Sequence, residues 1–269
     1  MSANVLVLAG YGLNCEEETL HAFQHAGLKG NIIHINDLIE NPDALSRAEV
    51  LAIPGGFSYG DDTGSGNAFA QKMKLALWDH LQNFVSRDTM TIGICNGCQI
   101  LINLGLVPAI NNASGKRSVA VTHNLSARYQ CRWVDVAKDS ANKSPWLCGI
   151  EKLHIPVAHG EGRFMMNDNT LKAIKEDGHI ALRYINADTG TQANGYFPHN
   201  PNGAKDDIAA LTDASGRILA IMPHPERGMF TWQRDDYMEL KDKAQRNGEA
   251  LFEESNGMYI FKNAALYFA

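Results

Sequence analysis

Residues 91–104 constrain the fold more than any other stretch of the chain. Thr91-Ile92-Gly93-Ile94 is a short apolar run, Cys95 follows it, and Asn96-Gly97-Cys98-Gln99 opens a second apolar segment that ends at Leu104. A potential nucleophile between two glycines, at the point where a strand gives way to a helix, is the Gly-x-Cys-x-Gly form of a nucleophile elbow. Such a turn is tight, and a side chain at Gly93 or Gly97 would crowd the junction. The chain repeats the design. Asn4–Leu8 is an apolar run ending at Gly10, Ile32–Ile35 is a second, Val50–Ile53 stops at Pro54-Gly55-Gly56, and Thr91–Ile94 is the fourth. Between them, Glu16–Ala26, Asn67–Val85 and Asn96–Leu104 carry apolar residues at helical spacing. Strands alternating with helices predict an α/β fold, a mostly parallel sheet covered by helices on both faces.

The second half reads differently. Val119–Thr122, Arg132–Val136, Ile155–Ala158, Ala181–Tyr184, Ile208–Leu211 and Ile218–Met222 are short strand candidates with few helices between them, which implies antiparallel strands added to the parallel core. Asp236–Glu254 is charged and helical in pattern, and Gly55–Gly66 and Tyr196–Asp207 are loop-rich. With no repeat and no shift in composition, residues 1–269 read as one domain. A net charge of -6 and the lack of a Lys/Arg cluster argue against nucleic acid as a partner. No run approaches the roughly 18 apolar residues that a membrane span needs. The first apolar run is too short, and too poor in basic residues, for a secretory leader. Together with an odd count of five cysteines, this predicts a reducing, cytoplasmic setting rather than a disulfide framework.

Cys95 on its elbow would sit above a helix N-terminus, whose dipole and free N–H groups favour a thiolate. The N–H of Asn96 could receive an oxyanion. Two other readings fit the same residues: a buried structural cysteine, or a redox pair formed by Cys95-x-x-Cys98. A zinc site would need a second Cys/His pair at suitable spacing, and none is present, so no metal is expected. A cysteine nucleophile requires a base, and the base requires a partner that fixes its tautomer. Pro223-His224-Pro225-Glu226 offers both just after a strand; His159-Gly160-Glu161 offers the same pair at the same spacing. The residues alone leave the choice between them open. Gly55-Gly56, at the end of a third strand, could turn a second backbone N–H into the cleft. All three features fall at the carboxyl ends of strands, where open α/β sheets bind ligands. Asp61-Asp62 could hold magnesium, but a solvated loop explains the pair as well.

Taken together, these motifs resemble the class I (triad) glutamine amidotransferases, and within them the glutaminase branch that serves purine biosynthesis. The resemblance is carried by Gly93 through Gln99, by Pro54 through Asp61, by Ala158 through Arg163, by Pro223 through Arg227, by Asn200-Pro201-Asn202-Gly203 and by Gly12-Leu13-Asn14-Cys15-Glu16. It implies a single-domain flavodoxin-like fold. It also implies that Cys95 attacks glutamine, that His224 is the base and that Glu226 orients it. Gly56 and Asn96 would then supply the oxyanion N–H groups, while Gln99, His159 and Glu161 line the glutamine site. The implied partners are L-glutamine, a large ATP-dependent synthetase subunit that accepts the ammonia, and a small accessory subunit. No cofactor is implied in this chain, and ATP and magnesium would sit on the synthetase. Two departures from shorter stand-alone members stand out. Asp62-Thr63-Gly64 follows Gly60-Asp61 where those carry an arginine, and the segment from Tyr129 to Leu153 is long. Both resemble glutaminase regions fused to large synthetases and imply a separate subunit of unusual type. Other readings remain at this stage: a glutaminase for a different synthetase, against which Asn-Gly-Cys-Gln argues, or a thiol sensor, which gives His224 and Glu226 no task.

Overall fold

The computed structural model describes residues 3–269. Its first four apolar runs become neighbouring strands of one nine-stranded sheet, the second of them at the sheet's edge. In chain order the strands are β1 (Asn4–Ala9), β2 (Lys29–His34), β3 (Val50–Ile53), β4 (Met90–Ile94), β5 (Ala120–Thr122), β6 (Gln130–Lys138), β7 (Lys152–His159), β8 (Arg163–Met165), β9 (Ile180–Ile185), β10 (Ile208–Thr212) and β11 (Ile218–Ile221). The sheet runs β2-β1-β3-β4-β11-β10-β9-β6-β7. From β2 to β11 its neighbours are parallel; from β11 to β7 they are antiparallel. Every residue of β3, β4 and β11 is buried, which is why these strands read as unbroken apolar runs rather than alternating ones.

Helices α1 (Glu16–His25), α2 (Ile35–Glu40), α3 (Asn67–Ser86), α4 (Asn96–Leu104), α5 (Asp168–Glu176), α6 (Tyr237–Asn247) and α7 (Met258–Tyr267) complete the fold. Helix α3 buries Phe69, Met73, Leu77 and Leu81 at helical spacing. Three glutamates fill the first turn of α1, where they oppose the positive end of the dipole. The fold is the mixed, mostly parallel α/β arrangement that the sequence predicts.

Several elements differ from the reading of the sequence. Residues 120–122 pair with β8 in a separate two-stranded sheet and do not join the main one. Ile35 starts α2 instead of ending β2. The expected helix over Asp236–Glu254 stops at Asn247, because Gly248 takes a left-handed conformation with φ 66° that closes its last turn. Helix α7, absent from the sequence reading, packs Phe261 edge-on against Phe23 of α1, with ring centroids 4.9 Å apart. The long segment from Tyr129 to Leu153 turns inward. It forms β6, then buries Trp146, whose indole N–H donates to the Arg217 carbonyl at 2.9 Å. Asn263 of α7 donates to the Trp146 and Cys148 carbonyls, so this segment seats the C-terminal helix.

Candidate active site

Three adjacent strands, β3, β4 and β11, run parallel and release their chains on one side of the sheet. Pro54-Gly55-Gly56, Cys95 and Pro223-His224 leave from those ends, so the topology alone gathers the predicted groups. Cys95 adopts φ 50° and ψ −102°, a strained conformation for a residue with a side chain. Its N–H donates to Ile221 of β11 at 2.8 Å, which ties the elbow to the strand that delivers His224. The flanking glycines are required by contact. A Cβ on Gly97 would lie 1.8 Å from the Ile53 carbonyl oxygen, and one on Gly93 would lie 2.4 Å from the Gly97 carbonyl oxygen. Cys95 is 5% exposed, and its sulfur lies 3.7 Å from the Ala158 carbonyl oxygen.

His224 and Glu226 form a buried pair, with Nδ1 and Oε1 2.5 Å apart. Burial disfavours the charged ring, but Glu226, and after it Cys95, reverse this and push the His224 pKa up to about 10. The other ring nitrogen, Nε2, is buried with no partner but the Cys95 thiol, whose interaction also helps hold the ring charged. His224 N donates to the Pro156 carbonyl at 2.8 Å, which fixes the loop against β7.

The rival pair is not a pair. His159 is 2% exposed and its ring meets two asparagines: Nδ1 lies 3.1 Å from Asn124 Oδ1, and Nε2 lies 3.5 Å from Asn202 Nδ2. Burial, and then the charge of His224, push its pKa down to about 3. Glu161 turns elsewhere, accepting from the Ser65 N–H at 3.3 Å and lying 3.4 Å from His123 Nδ1.

Gly56 forms an isolated bridge with Leu13, but the bonds of that bridge are made by Asn14 and Phe57, so its own N–H is not consumed by it. Asn96 is the first residue of α4, where no intrahelical acceptor reaches its N–H. Its side chain knits the elbow to the Gly-Gly segment: Oδ1 accepts from Ser58 N at 3.1 Å, and Nδ2 donates to Asp61 at 3.3 Å and to Gln99 Oε1 at 2.8 Å. Gln99 also donates to the Glu161 carbonyl at 2.6 Å. Its amide is therefore engaged on both sides, and Gln99 braces the cleft wall. Beside these residues Phe57, Asp61, Tyr129 and Glu161 line a cavity of about 430 Å³. Burial, with the nearby Glu161 adding to it, holds the Asp61 carboxyl above its usual range.

Sequence reasoning gave Asn124 no role, and named Asn202 only within the Asn200-Pro201-Asn202-Gly203 motif without a task, yet both support this site. Asn124 accepts from Gly162 N and donates to the His159 carbonyl; Asn202 donates to the Gly162 carbonyl at 2.9 Å. Cys98 is fully buried in α4, and burial, followed by the neighbouring Cys95, pushes its thiol well above the ordinary range, which suits packing better than redox exchange. Cys15, His224 and Glu226 present ligand-type atoms within 4.8 Å of one another. The Arg227 guanidinium, 2.8 Å from the Cys15 sulfur, already brings a positive charge to that cluster.

A family model described as a CobB/CobQ-like glutamine amidotransferase domain matches residues 2–268. The chain belongs to that family. This amidotransferase is 47% identical, over 98% of its length and 97% of the relative's, to phosphoribosylformylglycinamidine synthase subunit PurQ of Methanococcus maripaludis strain C7. It is 36% identical over 85% of its length to phosphoribosylformylglycinamidine synthase of Drosophila melanogaster, of which it spans 17%. Its fold matches the structure of PurLQS from Thermotoga maritima with a TM-score of 0.70, at 26% identity and full coverage of both chains. A separately named subunit thus matches nearly end to end, so the long segment from Tyr129 to Leu153 does not set the chain apart from stand-alone subunits. Among the described residues no helix is long and apolar enough to cross a membrane.

Proposed function

We propose that Cys95, His224 and Glu226 are the catalytic triad of the glutaminase subunit of a phosphoribosylformylglycinamidine synthase. The observation that carries the triad is the buried His224–Glu226 pair at 2.5 Å beside a cysteine held on a strained elbow. Likeness to named subunits of that synthase over nearly the whole chain carries the choice of pathway. The protein works in complex with the synthetase subunit, which converts formylglycinamide ribonucleotide and holds the ATP and magnesium. A small accessory subunit completes the assembly, in the cytoplasm.

The reaction begins from the ion pair in which the Cys95 proton rests on His224, the state that the raised His224 pKa favours, and the thiolate attacks the side-chain carbonyl carbon of glutamine. The resulting oxyanion takes the N–H groups of Gly56 and Asn96; a donor of this kind is worth about 3 kcal/mol of barrier. The carbon–nitrogen bond then breaks, and His224 returns its proton to the departing ammonia, leaving a γ-glutamyl thioester on Cys95. Water, deprotonated by His224, hydrolyses the thioester to glutamate and restores the thiol. Glu226 keeps the ring in the tautomer with Nε2 free and stabilises it when charged. Asp61 and Glu161 give the cleft an acidic wall suited to the α-ammonium group of glutamine, with His159 and Gln99 holding that wall in place.

The test is a paired assay of Cys95→Ala in complex with the synthetase. Glutamine-dependent synthesis should vanish, while ammonia-dependent synthesis should persist. Survival of the glutamine-dependent reaction would sink the mechanism.

A further inference from the structure

The segment Gly12 through Glu16 takes no direct part in that chemistry, yet it lies immediately behind the triad. Cys15 precedes the first turn of α1, makes no side-chain capping bond there, and is fully buried. A Cβ placed on Gly55 would lie 3.1 Å from the Cys15 sulfur and 2.8 Å from His224 Cε1, so thiol and imidazole flank the same glycine. The sulfur accepts a hydrogen bond from Arg227 Nη2 at 2.8 Å. Arg227 Nε lies 3.7 Å from Glu18 and 3.9 Å from Glu226 Oε1, the same oxygen that holds His224 Nδ1. Two cationic groups therefore compete for one carboxylate, and the guanidinium stands one step back.

That restraint needs a cause. A guanidinium favours a bidentate grip on a carboxylate, and Glu226 Oε2 is buried without a partner, ready to complete one. We propose that Cys15 is a positioning residue for the glutaminase reaction: its thiol, with Glu18, holds the Arg227 guanidinium off Glu226 and leaves that carboxylate to His224. The inference rests on the triad proposed above. A thiol suits the task because its sulfur is a weak acceptor, enough to place a guanidinium without neutralising it. Burial, and then the charge of Glu226, push the Cys15 pKa far above the ordinary range, so it acts as a neutral group.

The experiment measures glutaminase kcat, KM and pH profile in complex with the synthetase, with ammonia-dependent synthesis as the control for folding and assembly. In Cys15→Ala, Arg227 moves onto Glu226 and His224 loses part of its partner. The expected result is a kcat about tenfold lower with KM within about twofold. The alkaline limb of kcat/KM should move to lower pH by about half a unit or more, because the imidazolium is held less firmly. In an Arg227→Met background, Cys15→Ala should cause no further loss, since Cys15 acts only through Arg227. Cys15→Ser keeps an acceptor and should retain kcat within about threefold of wild type, which decides the matter if the alanine variant does not assemble. An equal loss in both backgrounds, an unaltered kcat in Cys15→Ala, or an assembled serine variant as slow as the alanine one overturns the proposal. A wild-type complex that releases no glutamate from glutamine would instead refute the triad itself, and the role of Cys15 with it.

Discussion

Replacing Glu226 with glutamine keeps the side-chain volume and one acceptor oxygen for His224 Nδ1, removes the charge and turns the other, unpartnered oxygen into an NH2 group. Burial alone would strip the proton from His224; Glu226 at 2.5 Å, followed by Cys95, raises the pKa to about 10. Against the ordinary value of about 6.5, this amounts to roughly three to four decades of proton affinity, each unit being tenfold. Glu226 is the largest influence raising the pKa and Cys95 the next, so Glu226→Gln should remove most of the hold on the proton, and kcat should fall by about 10²- to 10⁴-fold, the usual worth of a general base, with KM nearly unchanged. The assay is glutamate release at saturating glutamine in the complex. Stability should respond as well. A folded pKa above the unfolded one stabilises the fold fully below pH 6.5, and that contribution disappears as the pH rises through about 10. The variant should therefore lose the decline in stability that wild type shows between those values. A kcat within tenfold of wild type, with the alkaline decline intact, would refute the assignment of Glu226 as the charge that holds His224.

The two histidines should separate cleanly. His224→Ala should abolish glutaminase activity, whereas His159→Gln should keep it within about tenfold, because glutamine can still bond to the flanking asparagines. Since the His159 pKa is pushed down to about 3, the folded state refuses a proton that the unfolded chain accepts, and stability falls as the pH drops from 6.5 toward 3. His159→Gln removes that loss and should shift acid unfolding, followed by circular dichroism, to lower pH. At the elbow, Gly97→Ala sets a Cβ 1.8 Å from a backbone oxygen that cannot rotate away. It should cost about 3 kcal/mol or more in urea unfolding, and a loss under about 1 kcal/mol would mean that the junction of β3 and α4 is not packed as described.

The parallel half of the fold was legible because burial on both faces leaves a strand no polar positions, as in Val50–Ile53 and Ile218–Ile221. The elements that escaped notice give weaker signals. Helix α5 is amphipathic but only nine residues long with Ile174 alone fully buried, and β8 is three residues long. The stop at Gly248 was written in the sequence as Asn247-Gly248, a standard helix ending. The supporting side chains were beyond reach for another reason. Asn124 acts on residues 35 positions away, and Cys15 meets Arg227 across 212 positions, so neither contact leaves a local pattern.

The two His-x-Glu motifs show where local pattern stops being informative. Both place a carboxylate two residues after a histidine. His159 ends an extended strand, β7, and Gly160 carries the chain onward, so Glu161 projects toward Ser65 and His123. His224 precedes a single 3-10 turn over Pro225–Arg227, which folds Glu226 back beneath the ring. Pro225, with its fixed φ, is pre-set for the first position of such a turn. Spacing was identical and backbone curvature was not, so the residue between histidine and glutamate, proline in one motif and glycine in the other, decides which pair can share a proton. Exchanging that residue makes the point testable. Pro225→Gly should lower kcat without removing any catalytic group, because it frees Glu226 from the turn that aims it at His224; a kcat equal to wild type would show that the turn forms without the proline.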